Sequence, residues 1–244
     1  DTSVVRALGE TVEIETPRGR TILIDGGPDS TRALAQIGKR LPFWKRRIDL
    51  VILTSPDVER LEGLIPVLER YTVSEVAAGM ETASSAAYRR WQDLSAARGS
   101  EGVERASALT TWQPDSGVEL RVLWPRPEGE PGPLVLQLSY GNTRVLIPGD
   151  ATTVIEETLV EAYGEGLGSQ VLLMPRHGAP TSGMPTFLEA VSPELVIIST
   201  AADSTYPSPY ALARLRDIPI YRTDVDGAIE VITDGTTFRV RTGR

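Results

Sequence analysis

The strongest constraint on the fold is an apolar segment near residue 50. Ile48-Asp49-Leu50-Val51-Ile52-Leu53-Thr54 is almost continuously apolar, which is typical of a β-strand buried on both faces of its sheet. Such a strand needs other layers packed on each side. The segment therefore predicts a layered α/β protein, in which a loop at Ser55–Arg60 leads into a helix over Val58–Arg70. A chain of 244 residues is long enough to bury such a core.

Hairpins on either side of this strand favour mixed sheets. Residues 11–16 alternate apolar and polar, and a second strand over residues 21–25 completes a hairpin. A later hairpin joins residues 134–140 to residues 143–147. Because strands occur in hairpins and also alternate with helices, we expect an α/β fold, a four-layer α/β/β/α sandwich with two mixed sheets. No linker divides the chain, so residues 1–244 are expected to form a single domain.

Composition excludes several kinds of site. The chain has no Cys, which removes disulfides, thiolate metal sites and cysteine nucleophiles. The formal net charge of −8 argues against a dedicated nucleic-acid coat. No apolar stretch approaches the roughly 18–20 residues of a spanning helix. Gly26-Gly27 is not followed by Gly-Lys-Ser/Thr, so no nucleotide cofactor is expected.

One basic segment is a local exception to the acidic composition. Residues 39–47 combine five Lys and Arg side chains with Phe and Trp. Lys45, Arg46 and Arg47 are therefore candidates for DNA phosphate contacts. The alternative interpretation is a solvated helix end and loop.

Several stretches, in this order, resemble the metallo-β-lactamase superfamily, and most closely the metallo-β-lactamase-like domain of the ComEC family of bacterial DNA-uptake proteins. They are Gly9-Glu10 with residues 14–28, then residues 48–63, 136–150, 172–182 and 192–226. The resemblance covers nearly the whole chain and is weakest over residues 81–132. It implies a soluble domain excised from a larger bacterial cytoplasmic-membrane protein, and it does not specify on which side of the membrane the domain lies. The implied partners are DNA and the rest of the channel protein.

The resemblance also implies where a metal site would lie. Active relatives, which are metal-dependent nucleases thought to degrade the strand that is not imported, carry His-x-His-x-Asp-His after the buried strand. The matching positions here are Ser55, Asp57, Glu59 and Arg60. A guanidinium stays protonated and cannot coordinate a metal ion.

Two further motifs of the family match later in the chain. The bridging aspartate is kept as Asp150, whereas a His-His-Gly-Ser signature becomes Arg176-His177-Gly178-Ala179. His177 is the only histidine, although catalysis on paired metal ions needs several imidazoles. We therefore expect a degenerate site with no catalytic residue and no cofactor.

In this degenerate site the arginines would replace the metals as counter-cations. Arg60 and Arg176 are expected to pair with Asp150, Glu59 or Asp57. The resulting prediction is a non-catalytic domain of a DNA-uptake protein, with a structural or DNA-interaction role in natural transformation.

The alternative is a weakly active nuclease or phosphodiesterase that degrades the non-transported strand. In it, Asp57, Glu59, Asp150 and His177 would hold one Mn or Mg ion. A third alternative is an unrelated small-molecule or protein-binding role.

Single residues also have purely structural interpretations. His177 can be a structural histidine, Asp25 a loop residue that binds backbone amides, and Asp150 the cap of a helix near Thr152. Ser55 as a nucleophile with His177 as its base is the remaining alternative.

Overall fold

The computed structural model describes residues 1–40, 46–97 and 103–243, without the side chains of Arg32 and Arg40. Two β-sheets pack face to face and helices cover their outer faces, which confirms the predicted α/β/β/α sandwich with two mixed sheets. Lys45 lies outside the described residues. No helix in the described part of the chain is long and apolar enough to cross a membrane.

The strands and helices account for most of the described chain. The strands are β1 (Ser3–Ala7), β2 (Val12–Glu15), β3 (Thr21–Ile24), β4 (Arg47–Leu53), β5 (Thr72–Ala78), β6 (Glu104–Arg105), β7 (Thr111–Asp115), β8 (Val118–Trp124), β9 (Val135–Tyr140), β10 (Thr143–Ile147), β11 (Val171–Leu173), β12 (Leu195–Ile198), β13 (Ile220–Arg222), β14 (Ile229–Thr233) and β15 (Phe238–Thr242). The α-helices are α1 (Ser30–Arg40), α2 (Val58–Leu61), α3 (Leu64–Arg70), α4 (Ala86–Ala96), α5 (Thr153–Tyr163), α6 (Pro185–Val191), α7 (Pro209–Arg214) and α8 (Thr223–Asp226). Two 3₁₀ turns cover Gly164–Leu167 and Pro175–Gly178.

The sheets are mixed in a regular way. The first has the order β15-β14-β1-β2-β3-β4-β5-β6, and the second has the order β13-β12-β11-β10-β9-β8-β7. Strands β3 to β6 are parallel to one another, as are β10 to β13. The remaining pairs are antiparallel.

Apolar side chains fill the spaces between the four layers. The central core lies between the sheets and includes Ile14, Ile52 and Leu136. On the outer face of the first sheet, Leu64 and Trp91 pack helices α3 and α4 against the strands. The apolar run at residue 50 is therefore buried on both faces, as predicted.

The predicted helix over residues 58–70 is wrong in one respect, because it divides into α2 and α3. The break lies at Gly63, whose amide donates to the carbonyl of Gly27. A Cβ at position 63 would lie 1.9 Å from the carbonyl oxygen of Gly26. This close approach holds the α2 segment against the loop that follows β3, and so fixes the position of Arg60.

Candidate functional site

The site lies where the loops after parallel strands of both sheets meet, a region called the site pole below. Arg60, from the short helix α2 that follows β4, is its centre and only 7% of its surface is exposed. Its Nε and Nη2 atoms donate to the two carboxylate oxygens of Asp150, at 2.9 and 2.5 Å. Its Nη1 donates to Glu10 at 3.2 Å and lies 3.8 Å from Asp25. One guanidinium therefore faces three carboxylates that come from loops of both sheets.

His177 completes the shell around Arg60. Its Nδ1 lies 2.8 Å from the carbonyl oxygen of Ser199, which can only accept a hydrogen bond. In the neutral form of the ring Nδ1 therefore carries the proton, which leaves Nε2 to accept from Arg60 Nη2 at 3.1 Å. Nε2 also lies 3.2 Å from Glu10 Oε2. The imidazole therefore serves as a hydrogen-bond link between two loops, in agreement with its structural interpretation.

Electrostatics hold Arg60 and Asp150 in their charged forms. Burial raises the pKa of Asp150, but the adjacent Arg60 guanidinium outweighs it and brings the pKa below its usual value. Burial lowers the pKa of Arg60, and the carboxylates of Asp150, Asp25 and Glu10 more than reverse this effect. The two residues therefore form an ion pair in which Arg60 is buried and Asp150 is half-buried.

The pKa values of the other two carboxylates, those of Asp25 and Glu10, are shifted upward. Burial raises the pKa of Asp25 to about 7, although Arg60 and two hydrogen bonds from Thr54 oppose it. These bonds run from the Thr54 amide at 2.8 Å and from its hydroxyl at 2.6 Å. Burial also raises the pKa of Glu10, although a His177 ring in its charged form and Arg60 oppose the rise. Asp25 thus binds a backbone amide, as its structural interpretation requires.

The remaining acids of the predicted loop do not join this shell. Asp57 and Glu59 are exposed, and Asp57 accepts a hydrogen bond from Ser55 Oγ at 2.8 Å. Of the three acids predicted as partners of Arg60, Asp150 pairs with it, whereas Asp57 and Glu59 do not, because α2 turns Arg60 inward while Glu59 faces solvent. Ser55 is bonded to Asp57 and not to His177, so the two do not form a nucleophile–base pair.

Arg176 lines the same cleft and has no carboxylate partner within the part of the chain that the structure describes. The cleft has a volume of about 540 Å³, and its lining includes Asp57, Glu59, Arg60, Asp150, Arg176, His177 and Tyr206. Among the described residues Arg176 makes no ion pair, so the expected pairing of Arg176 is wrong. Arg176 and His177 both have left-handed φ values, 47° and 56°, in the turn that follows β11. The Arg176 amide is held by the Gly149 carbonyl at 3.0 Å.

The interpretation of Asp150 as a helix cap is also wrong. Helix α5 is capped by Thr152, whose hydroxyl accepts a bond from the Ile155 amide. Asp150 is instead committed to Arg60 through both oxygens.

The donor set does not fit a divalent metal ion. The Asp150 and His177 atoms that would face an ion are already bonded to Arg60, a cation that cannot act as a ligand. Over residues 1–40, 46–97 and 103–243, no group of three or more His, Asp or Glu side chains is arranged to hold a metal.

Glu10 and Ser199 are site residues that the sequence reasoning missed. Glu10 lies in the short turn between β1 and β2, and only its place next to Gly9 in the matched stretches pointed to it. Ser199 follows β12, and its hydroxyl donates to the Gly9 carbonyl, which holds this turn against the second sheet.

The sequence of the chain matches known proteins. The model of the metallo-beta-lactamase superfamily matches residues 11–201. Over 100 residues the chain is 39% identical to the Competence protein ComA of Neisseria gonorrhoeae, a match that covers 39% of this chain and 14% of that protein.

Solved structures agree on the fold. The metallo-beta-lactamase fold protein YhfI from Bacillus subtilis superimposes with a TM-score of 0.65 at 10% identity and covers 100% of both chains. CmlA, a diiron beta-hydroxylase from Streptomyces venezuelae, has a TM-score of 0.59 at 16% identity, covering 90% of this chain and about half, 52%, of CmlA. At these identities the likeness concerns the fold alone.

Proposed function

Because the chain belongs to the metallo-beta-lactamase superfamily, we propose that it is a non-catalytic member in which the guanidinium of Arg60 replaces the divalent ions. One observation carries this proposal. Arg60 donates to both oxygens of Asp150 and to Glu10 and His177, so the groups nearest the centre of the site are bonded to a protein cation.

A cation at this position can stabilise the fold without taking part in a reaction. Glu10, Asp25 and Asp150 come from three loops and repel one another when ionised. A buried carboxylate left without a partner costs about 3–5 kcal/mol. Arg60 offsets that cost in every state of the protein, whereas a metal ion would do so only when bound. We therefore assign the cluster a structural role, in which it holds loops of the two sheets together.

The similarity to Competence protein ComA supports a biological setting. We propose that the chain is a domain of a ComEC-type bacterial membrane protein and takes part in DNA uptake during natural transformation. Its partners would be the incoming DNA and the rest of the channel protein. Arg46 and Arg47 are exposed, and we propose them as phosphate contacts together with Lys45, their neighbour in the sequence.

Metal content and nuclease activity test this function together. The protein is incubated with Mn²⁺ or Mg²⁺, freed of excess metal and examined by elemental analysis, and cleavage of plasmid and single-stranded DNA is followed in parallel. We expect no stoichiometric metal and no cleavage. Stoichiometric metal together with cleavage that Asp150→Ala abolishes would overturn the proposal, and would favour the alternative of a weakly active Mn- or Mg-dependent nuclease.

A gain-of-binding variant sharpens the test. Arg60→His replaces the guanidinium by a neutral donor beside Asp150 and His177, so it is expected to bind Mn²⁺ or Zn²⁺ more tightly than the wild type. Arg176→His, in the same cleft, is the matched control and leaves the Arg60 guanidinium in place. Equal metal uptake by the wild type and Arg60→His would contradict the replacement of metal by Arg60.

A further inference from the structure

Charge is separated between the two ends of the first sheet. Strands β3, β4 and β5 are parallel, so their C-terminal ends carry the site and their N-terminal ends lie together at the opposite pole. Because α1 and α3 run back from the site pole between these strands, their C-terminal ends also lie at that opposite pole.

Five basic side chains meet at this opposite pole, and we call them the basic edge. Arg20 precedes β3, Arg46 and Arg47 begin β4, and Lys39 and Arg70 belong to the last turns of α1 and α3. Arg47 is directly paired in register with Thr72, the first residue of β5. Neighbouring strands are about 4.8 Å apart, so side chains of this length share one surface.

The basic edge is exposed and little neutralised. All five side chains are exposed. Arg47 lies 3.8 Å from Asp49, while the other four make no ion pair with a described residue. By contrast Arg6 and Arg60, elsewhere in the fold, are each surrounded by carboxylates.

We propose that the basic edge is the surface through which this domain contacts the sugar–phosphate backbone of DNA, at the pole opposite the Arg60 cleft. This inference rests on the proposed function for the identity of the polyanion, and it goes beyond that function in placing the contact away from the site.

Electrostatics favour the basic edge over the cleft. The site pole carries several acids, namely Asp25, Asp57, Glu59, Glu81 and Asp150. Since the whole chain has a net charge of −8, a polyanion is repelled unless it approaches a local excess of cations. Four of the five cations are arginines, whose guanidinium can bond a phosphate at two points.

Among the described residues the basic edge suits DNA better than a lipid surface; Phe43 and Trp44, which the sequence places between Lys39 and Arg46, lie outside the described residues. Stable interfacial binding combines basic residues with apolar side chains that enter the bilayer. The exposed large apolar side chains of the described chain lie in segments other than the basic edge, namely Val58, Met80, Leu109, Val154, Tyr206, Tyr210 and Val225.

Salt-dependent binding to a labelled duplex tests the proposal with the full chain. Fluorescence anisotropy is measured over a range of salt concentrations for the wild type and for the double variant Arg46→Ser/Arg70→Ser. Each phosphate contact contributes about 0.9 to the slope of log K against log salt concentration, so the double variant is expected to reduce that slope by about two. Binding should weaken at every salt concentration.

Two controls keep the outcome interpretable. Arg239→Ser/Arg241→Ser removes the same charge from β15, the outermost strand of the same sheet, and should leave the slope unchanged. Arg176→Ser removes a cation that lines the Arg60 cleft, and it should also leave the slope unchanged. Far-ultraviolet circular dichroism and melting curves establish that each variant is folded.

Several results would overturn the inference. They are absence of duplex binding by the wild type at low salt, an equal loss in the β15 control, a loss confined to Arg176→Ser, or binding to phosphatidylserine vesicles without binding to DNA. A wild type that binds no metal, cleaves nothing and does not bind DNA refutes this inference and the proposed DNA partner, and leaves the proposed non-catalytic role of the Arg60 cluster standing. Metal-dependent cleavage refutes the proposed function and leaves the location of the basic edge to be judged by its own variants.

Discussion

Arg60 and Asp150 follow strands of different sheets and are joined by two hydrogen bonds, Nε to Oδ2 at 2.9 Å and Nη2 to Oδ1 at 2.5 Å. Replacing Arg60 by Met keeps much of the side-chain volume but leaves the carboxylates of Asp150, Glu10 and Asp25 without their cation. We expect the free energy of unfolding to fall by about 3–5 kcal/mol, the usual cost of breaking a buried ion pair from one side. Urea denaturation followed by circular dichroism measures it.

Arg176→Met is the matched control for this prediction. It removes the same charge from the same cleft, but Arg176 makes no ion pair among the described residues. Its effect is expected to stay within about 1 kcal/mol. Equal losses in the two variants would mean that the general field of the cleft, and not the bonded cluster, provides the stability.

A double-mutant cycle isolates the contact between the two sheets. Arg60→Met and Asp150→Asn are expected to be non-additive, with the double variant less destabilised than the sum of the single variants. An interaction energy of about 1–3 kcal/mol is typical of residues in one network. Additive losses, measured by the same denaturation experiment, would count against a direct energetic link between Arg60 and Asp150.

The architecture was predictable because its signals are local and repeated. The apolar run at Ile48–Thr54 and the flanking hairpins each specify a strand, and the order of the elements specifies the layers. The pairing of Arg60 with Asp150 was one of three predicted alternatives, and it followed from the resemblance that puts Arg60 and Asp150 at positions of the family's metal site, together with the cost of leaving buried acids unpaired.

The other partners of Arg60 could not be predicted in the same way. Glu10 is 50 positions away along the chain, in a turn where a glutamate usually faces solvent. Asp57 and Glu59 are sequence neighbours of Arg60, yet one turn of helix directs them away from it. The direction in which each side chain of a short helix points depends on the residue at which the helix begins. Sequence patterns locate helix ends poorly.

The tautomer of His177 is open to direct measurement. The hydrogen bond to the Ser199 carbonyl places the proton of the neutral ring on Nδ1. As the chain contains one histidine, a ¹⁵N long-range correlation spectrum shows a single imidazole. We expect a protonated Nδ1 and an unprotonated Nε2 at a pH where the ring is neutral. The opposite pattern would contradict the bond from Arg60 to Nε2.

The pH dependence of stability should reflect the raised pKa of Asp25. Its value of about 7 in the folded protein lies above the ordinary value of 3.8, so the folded state binds more protons than the unfolded state between these values. Stability therefore falls as the pH rises from about 4 to about 7, by an amount on the order of 4 kcal/mol from this residue. The raised pKa of Glu10 acts in the same direction.

Denaturation curves across this pH range test whether the free energy of unfolding falls as the pH rises. Asp25→Asn removes the titrating group and is expected to flatten the profile of the free energy of unfolding. Asp150, whose pKa is lowered, acts oppositely, and its stabilisation is lost only as the pH falls through that lowered value. A wild-type profile that rises between pH 4 and pH 7 would contradict the assignment.

Two glycines test whether the close approach of the loops at Gly63 positions Arg60. A Cβ at Gly63 would lie 1.9 Å from the Gly26 carbonyl oxygen, so Gly63→Ala must separate the α2 segment from the loop after β3. A Cβ at Gly38, within α1, meets nothing within 4 Å. We expect Gly63→Ala to destabilise the protein by more than about 2 kcal/mol, and Gly38→Ala to stabilise it by about 0.5–1 kcal/mol through its better helix propensity. Thermal denaturation of both variants measures these changes, and tolerance of alanine at position 63 would show that the Arg60 cluster does not depend on this contact.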